Sequence, residues 1–290
     1  MQHGPAVRRR KLGAELRTLR AQAGLTSGEA ARLAGWHQSK VSRIETGTSG
    51  SKPADVRLLL DVYGVADPQL RELMLALAGA DSGAGGGGGR DHWWHAYRGV
   101  LPPAYRDFIS LESQASAMRT LETTVVPGLL QTPEYARAVT LAAVEGLDEE
   151  QLDALVEVRL ARQDVLRAQP PLELSAVLDE SVLRREVGGP EVMAHQLRRL
   201  AEASRMPHVS LQVLPFRAGA HIGVTGPFVI FSFSRTSDLD VVVLDHLTSS
   251  LYLERKEDLQ AYAQAFNALR AQALSPGESS DHLAALAGGA

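Results

Sequence analysis

Cysteine is absent from all 290 residues of the sequence. Disulfides, thiolate metal sites and a cysteine nucleophile are thereby excluded, and the composition suits a reducing cytoplasm. Long hydrophobic runs are missing too: no stretch of about 18 apolar residues occurs, and no apolar block follows the basic cluster near the first residue. We therefore expect a cytoplasmic protein with neither a membrane span nor an export signal.

The sequence also lacks the motifs of well-known catalytic sites. It has no nucleophile elbow, no HExxH metal motif and no Walker loop. His92 and His95 have the i, i+3 spacing of a helical metal pair, but without a third acid or histidine this spacing favours aromatic packing or surface histidines. The sequence predicts a protein that is not an enzyme and that binds no metal or cofactor.

Five consecutive glycines lie within the segment DSGAGGGGGRD, residues 81–91. Glycine has no side chain to pack and loses much backbone freedom when it is ordered, so this segment is predicted to be a flexible linker. A phosphate-binding glycine loop is the alternative, but no strand precedes the segment and no GK[ST] follows it. We expect two domains, at residues 8–80 and 92–287, because the chain exceeds the roughly 100 to 200 residues of one domain.

Charge is distributed unevenly between these two regions. Residues 1–80 hold 12 Lys/Arg against 7 Asp/Glu, a net charge of +5, whereas residues 81–290 hold 18 against 27, a net charge of -9. The first 45 residues alone carry a net charge of +6. Such a local excess is expected where a protein meets phosphates, although solvated basic faces are also common.

Helical spacing of apolar residues before the linker predicts five short helices in a compact bundle. Gly24 would stop the first helix, Thr26 and Glu29 form a capping box for the second, and Pro53 and Pro68 suit the first turns of the last two. The residues expected to face inward in the first three helices are Leu12, Leu16, Leu19, Ala23, Ala30, Ala31, Leu33, Val41 and Ile44.

Gly35 lies between the second helix, expected at roughly 27–34, and the third, expected at roughly 38–45, and allows a sharp turn between them. This pattern predicts a helix-turn-helix, whose second helix enters the DNA major groove. We assign contacts with bases or phosphates to Gln38, Ser39, Lys40, Ser42 and Arg43. Phosphate contacts are assigned to Thr26, Ser27, His37, Arg8, Arg9, Arg10 and Lys11. A plain helical hairpin with a solvated polar face is the alternative.

The segment RTLRAQAGLTSGEAARLAGWHQSKVSRIETG, residues 17–47, resembles the helix-turn-helix of Cro and phage-repressor type, often called Xre type. In that family an arginine late in the first helix commonly pairs with the acid before the final glycine. Arg20 and Glu45 occupy these positions. The resemblance therefore implies that they are a structural pair rather than DNA contacts.

Beyond the linker, runs of strands beside runs of helices predict an α+β domain. Strands are expected at residues 172–179, 209–216, 227–233, 240–247 and 251–254. Helices are expected at about residues 104–123, at 148–167 with Asp148 as the cap, at 190–205, and at 256–274 as the final helix. That last helix should present Leu259, Tyr262, Phe266, Leu269 and Ala273 on one face.

Several segments of this domain are similar to the C-terminal domain of actinobacterial regulators described as Scr-family antitoxin-like. The segments are SLESQA, VPGLLQTPEYARA, RLARQ, LDESVLRREVGG, QVLPF, GPFVIFSF and YLE, together with Trp93-Trp94. Such regulators are typically encoded beside a small partner protein. The resemblance implies a regulator under the control of a partner, and the long glycine run puts rigid coupling between its domains in doubt.

The apolar segment VVPGLLQT, residues 125–132, is interrupted by Pro127-Gly128 and is costly to expose. We interpret it as a buried turn in the second core. The alternative is a groove for a ligand or partner chain, since exposed apolar patches usually mark such sites. Its lining would be Trp93, Trp94, Leu129, Leu130 and Tyr135.

Taken together, these patterns predict a multidomain protein with an all-α five-helix Cro/repressor-like bundle followed by an α+β effector domain. Its expected function is transcription regulation through double-stranded DNA, as a homodimer whose operator binding is modulated by a small neighbouring-gene partner protein or a ligand. One alternative is an antitoxin-like interaction protein that neutralises a small toxin and regulates its own operon. An enzyme with a DNA-targeting module would need converging catalytic side chains, which the sequence does not show.

Overall fold

The computed structural model describes residues 4–47, 51–79, 90–97, 99–233 and 240–288. The chain divides into two compact units, Met1–Trp93 and Trp94–Ala290, each described by itself below. Most of the predicted linker, residues 81–89, lies outside the described residues, as do the side chains of residues 4–11. Within the described ranges, no helix is both long and apolar enough to cross a membrane.

The described part of the first unit contains five helices, and local sequence signals account for most of their ends. The Thr26 side chain and Glu29 form the capping box of the second helix, and Pro53 lies in the first turn of the fourth. Gly24 follows the first helix with φ +69°, a left-handed conformation that favours glycine. The helices are α1 (Gly4–Gln22), α2 (Ser27–Leu33), α3 (Gln38–Glu45), α4 (Pro53–Val62) and α5 (Pro68–Gly79).

The core of this unit draws on all five helices, with Leu16, Val41, Leu59 and Met74 among its fully buried members. The prediction was wrong for Leu33, which is 55% exposed. Leu33 follows the buried Ala31 by two positions, or about 200° around a helix, so the two side chains point to opposite sides. Ala23 is also exposed, because α1 has already ended at Gln22.

A six-stranded mixed sheet organises the second unit, in the order β3-β2-β1-β4-β5-β6. The first three strands run parallel, while β4 is antiparallel to β1, and β5 and β6 continue the antiparallel half. Central β1 therefore pairs on both edges, with Leu121 opposite Val177 and Phe228. The strands are β1 (Ala117–Glu122), β2 (Glu173–Asp179), β3 (Val209–Leu214), β4 (Phe228–Ser232), β5 (Val241–Asp245) and β6 (Ser250–Leu253).

Helices accompany this sheet, which makes the unit α+β as the sequence predicts. Phe266 and Leu269 of α11 pack into a core with Leu121, Val177 and other sheet residues. The helices are α6 (Pro103–Gln114), α7 (Pro133–Ala143), α8 (Glu149–Ala161), α9 (Glu180–Arg184), α10 (Pro190–Ala203), α11 (Lys256–Gln272) and α12 (Pro276–Gly288). Shorter 3-10 segments lie at Arg90–Tyr97, Gly128–Leu130, Arg162–Leu166, Phe216–Ala218 and Ile222–Thr225.

Two of the predicted helices need correction. The helix expected at about 104–123 ends at Gln114, and the residues after it form β1. Strand β1 gains backbone hydrogen-bond partners from β2 and β4, which lie far away in sequence, so its local pattern gave no signal. The helix expected to be final, α11, is followed by α12, which packs against α10 and β3. The segment that was predicted to be the first helix after the linker thus forms one helix, α6, and one strand, β1.

Candidate nucleic-acid interface

Helices α2 and α3 meet at a turn that contains Gly35 with φ +69°. A side chain would be strained in this left-handed conformation, which explains glycine at the junction. Val41 and Ile44 of α3 are buried against the core, with exposures of 0% and 3%. The opposite side of α3 exposes Gln38, Ser39, Ser42 and Arg43. A helix held on one side and polar on the other is suited to lie in a major groove.

The first turn of α3 is organised by hydrogen bonds between exposed side chains. His37 caps the helix, with its Nδ1 accepting from the Ser39 amide at 3.3 Å. Gln38 Nε2 donates to Ser27 Oγ at 3.0 Å, so the leading residue of α3 is tied to the start of α2. Among the described residues the Gln38 amide oxygen and its second N–H have no partner, so both can bind an external one. This bond holds Gln38 in a defined position at the surface.

Lys40 lies differently from the other polar residues of α3. Its Nζ donates to Asp55 Oδ1 at 2.8 Å and lies 3.7 Å from the centroid of the Trp36 ring. Asp55 belongs to the first turn of α4 and Trp36 to the turn before α3. The sequence assigned Lys40 to guanine or phosphate, whereas in this structure its ammonium joins α3 to α4 and to the turn.

Beneath the exposed face, Arg20 and Glu45 form a bidentate ion pair. Arg20 Nε and Nη2 donate to the two Glu45 carboxylate oxygens at 2.8 and 3.0 Å. Arg20 Nη1 also donates to the Leu25 carbonyl, and the Tyr63 hydroxyl donates to Glu45 Oε1 at 3.1 Å. The hydrogen bond to Glu45 raises the pKa of Arg20, and burial raises the pKa of Tyr63. The pair links α1 to α3 and involves none of the exposed side chains of α3.

The backbone of the basic cluster lies in α1, but its side chains fall outside the described residues. These residues are Arg8, Arg9, Arg10 and Lys11. The hydroxyl of Thr26 is described, and it both donates to Glu29 Oε2 and accepts from the Glu29 amide. Its assignment to phosphate therefore rests on the free amides at the start of α2 rather than on an unengaged hydroxyl.

Residues 126–132 of the second unit are buried except for the half-buried Gly128, as the interpretation of a buried turn anticipates. Leu129, Leu130 and Tyr135 have no exposed surface, and Trp94 is 3% exposed. Side chains that are buried to this extent cannot line an open groove. The alternative prediction of a ligand or partner groove is therefore wrong for these four residues. Trp93, the remaining residue of that alternative, is half-buried.

Three glutamine side chains hold this turn through its backbone. Gln131 Nε2 donates to the Val126 carbonyl at 2.7 Å, and Gln163 Nε2 donates to the Gln131 carbonyl at 2.7 Å. Gln196 accepts from the Thr132 amide and donates to the Leu130 carbonyl, both at 2.8 Å. All three glutamines are buried. They satisfy backbone groups that would otherwise be costly to bury.

Sequence reasoning missed several side chains that position these features. Trp36, Asp55 and Tyr63 hold α3 from neighbouring segments, and their partners lie up to 18 residues away. Among them only Trp36, next to His37, had a local signal as an aromatic residue in the turn. The others could be found only by knowing which helices pack together.

Glu122 ends β1 and is the described carboxyl group with the largest upward shift of its pKa. The pKa of Glu122 is raised from its usual 4.5 to about 7, chiefly by burial and also by the charge of Asp245, although the hydrogen bond from Thr120 and the charge of Arg162 act in the opposite direction. The folded protein therefore holds this proton more tightly than the unfolded chain.

We expect this site to make stability fall as pH rises. Below pH 4.5 the carboxyl is neutral in both states, and between pH 4.5 and 7 the unfolded chain loses the proton first, which costs stability on the order of 3 kcal/mol. Glu122→Gln should remove this pH dependence and raise the melting temperature at pH 8. Exposed Glu173→Gln is the control, and equal pH profiles for both variants would contradict the assignment.

The arrangement of α2, Gly35 and α3 defines the first unit as a helix-turn-helix domain, and a family model described as a helix-turn-helix domain matches residues 11–74. This match indicates a DNA-binding transcriptional regulator. The second unit matches the model described as domain of unknown function DUF5753 over residues 105–285, more than half of the chain, and the chain belongs to that family. No curated protein and no solved structure matches the chain.

Proposed function

We propose that the protein is a sequence-specific transcriptional regulator of Xre type that reads its operator with α3. The observation that carries this proposal is the division of α3 into a buried apolar side and an exposed side with Gln38, Ser39, Ser42 and Arg43. Amide and guanidinium groups match the donor and acceptor patterns of adenine and guanine in the major groove. The local net charge of +6 in the first 45 residues supports attraction to phosphates.

Phosphate contacts complete the proposed interface. The free amides at the starts of α2 and α3, near Ser27 and His37, favour an anion because helix N-termini carry partial positive charge. Arg10 and its basic neighbours are proposed to contact the backbone of the duplex. Such contacts position the protein without selecting a sequence.

Gln38→Ala is expected to relax the preference for one base position and to weaken operator binding by about 1 to 3 kcal/mol. The reason is the loss of an amide that Ser27 holds at the surface. Arg10→Ala should instead weaken binding to all sequences alike and reduce the salt dependence. Both effects can be measured by titrating labelled operator variants at several salt concentrations.

Gln69→Ala is the matched control, because Gln69 is an exposed glutamine at the start of α5, outside the helix-turn-helix. This variant should bind DNA as the unchanged protein does. If Gln38→Ala and Arg10→Ala both behaved like the control, the proposed DNA face would be wrong.

We further propose that the protein acts as a homodimer in the cytoplasm. One recognition helix addresses only a few base pairs, whereas two helices related by a dyad address half-sites about 34 Å apart. Footprinting should then show two protected half-sites separated by one helical turn. A single protected half-site at saturating protein would argue for binding as a monomer.

The resemblance of the second unit to Scr-family antitoxin-like domains of actinobacterial regulators supports a regulatory role for that unit. We propose that a small partner protein or a ligand binds it and changes operator affinity, which requires different contacts in the two states. An antitoxin-like role, with DNA binding serving autoregulation, is the variant of this proposal in which the partner is a toxin. Operator affinity that is identical with and without the products of neighbouring genes would count against partner control.

A further inference from the structure

Two arginines near the end of α8 differ sharply in how their charge is compensated. Arg162 is 6% exposed, and its Nε and Nη2 each donate to a Glu112 carboxylate oxygen at 2.7 Å. Its Nη1 donates to the Tyr105 hydroxyl at 2.6 Å, and the guanidinium lies 5.0 Å from the Phe108 ring centroid. Both carboxylate oxygens of Glu112 thereby accept hydrogen bonds from Arg162.

Arg159, one turn earlier, has no comparable partner. Its Nη1 donates to Gln131 Oε1 at 3.2 Å, which is a bond to a neutral amide. A guanidinium has five N–H donors, so four of them have no acceptor among the described residues. No carboxylate of the described residues forms an ion pair with Arg159 either. Arg159, Arg162 and Glu112 together carry a net charge of +1.

The surroundings make this charge costly for the folded protein. Burial lowers the pKa of the Arg159 guanidinium, and the neighbouring charge of Arg162 lowers it as well, whereas the charge of Glu112 raises it. The nearest acids along α8 are engaged elsewhere, since Asp153 binds Arg137 and Glu157 accepts from Tyr97. A desolvated cation without a counterion raises the free energy of the folded protein. An anion that bound beside Arg159 would lower it.

We propose that Arg159 and its neighbours form a binding site for the carboxylate or phosphate group of a small-molecule effector. Arg159 offers the free edge of its guanidinium, whose fork matches either oxyanion. Tyr105 accepts from Arg162 and therefore keeps its own hydroxyl proton for another acceptor. Both residues are half-buried, as is Gly128 beside Arg162, so the site is open to solvent on one side.

The site lies where three segments of the second unit meet. Tyr105 and Glu112 belong to α6, Gln131 follows the 3-10 segment Gly128–Leu130, and Arg159 is in the last turn of α8. Gln131 accepts from Arg159 and donates to the Val126 carbonyl, so Arg159 is linked through this side chain to the buried turn. A role for this anion as an effector rests on the ligand control proposed for the second unit, whereas anion binding itself can be measured without DNA.

The test is the thermal stability of the full chain, without DNA, in chloride, phosphate, acetate and benzoate at equal ionic strength. Phosphate or a carboxylate should raise the melting temperature above that in chloride by at least about 2 °C. Arg159→Gln should melt no lower than the unchanged protein in chloride and should lose this increment. Arg159→Lys keeps the positive charge but lacks the paired N–H donors of the guanidinium. This variant should retain part of the rise in melting temperature with phosphate and lose the rise with a carboxylate.

Exposed Arg167→Gln is the matched control and should retain the whole increment. General salt effects on folding act on every variant alike, so only the difference between Arg159→Gln and the control counts. An equal increment in both variants would overturn the site, as would the lack of any increment in the unchanged protein. Arg159→Gln that melts lower in chloride, or fails to fold, would show that Arg159 is a structural residue instead.

Discussion

Glu45→Ala is expected to destabilise the first unit by about 3 to 5 kcal/mol, because it leaves the Arg20 charge buried without its counterion. The Glu45 side chain is 4% exposed and that of Arg20 14% exposed, so water does little to replace the lost partner. The Tyr63 hydroxyl would lose its acceptor as well. Urea denaturation followed by circular dichroism measures the change in the free energy of unfolding.

A surface ion pair of the same unit provides the control for this prediction. Asp61 accepts from Arg71 Nη2 at 2.5 Å, but the Asp61 side chain is 59% exposed. Asp61→Ala should therefore cost no more than about 1 kcal/mol. If Glu45→Ala were as mild as this control, the buried pair would not be what ties α1 to α3.

In the second unit, Glu112→Ala is expected to have an effect of similar size. Arg162 would keep its charge in the core, where the Tyr105 hydroxyl and nearby rings are its remaining contacts among the described residues. Removal of one partner of a buried pair typically costs about 3 to 5 kcal/mol. The loss should appear as a lower melting temperature and earlier unfolding in urea.

Replacement of both partners separates the charge from the shape of the site. Glu112→Leu combined with Arg162→Met removes both buried charges, and it should be much less destabilising than Glu112→Ala alone. Asp164→Ala is the control, because Asp164 and its partner Arg167 are both more than 70% exposed. A double variant as unstable as the single one would mean that packing, not charge, dominates at Glu112.

How far the sequence could predict the first unit is clearest at α2 and α3. The capping box of Thr26 and Glu29, the turn at Gly35 and the inward positions of Val41 and Ile44 are all present in the structure. These features depend on residues within four positions of one another, so the local pattern contains the information. Leu33 was misplaced because in so short a helix an apolar residue can face solvent without disturbing the core.

The second unit shows why features that depend on distant residues were not predicted from the sequence. Five strands were expected and are present, but β1 was taken for helix because its pairing with β2 and β4 joins segments up to about 115 residues apart. The same holds for Glu112 and Arg162, which are 50 residues apart, and for Gln131 and Arg159, which are 28 apart. No periodicity within one segment signals such partners.

Short-range signals in the amino-acid sequence were thus enough for the helix-turn-helix, the caps, most strands and the polar residues on α3. The fold alone determines that Lys40 pairs with Asp55 and Trp36 rather than extending freely, and that Arg159 lacks the counterion that Arg162 has. The physical reason is that helix ends and turns depend on neighbouring residues, whereas the compensation of a charge depends on which distant segments pack around it.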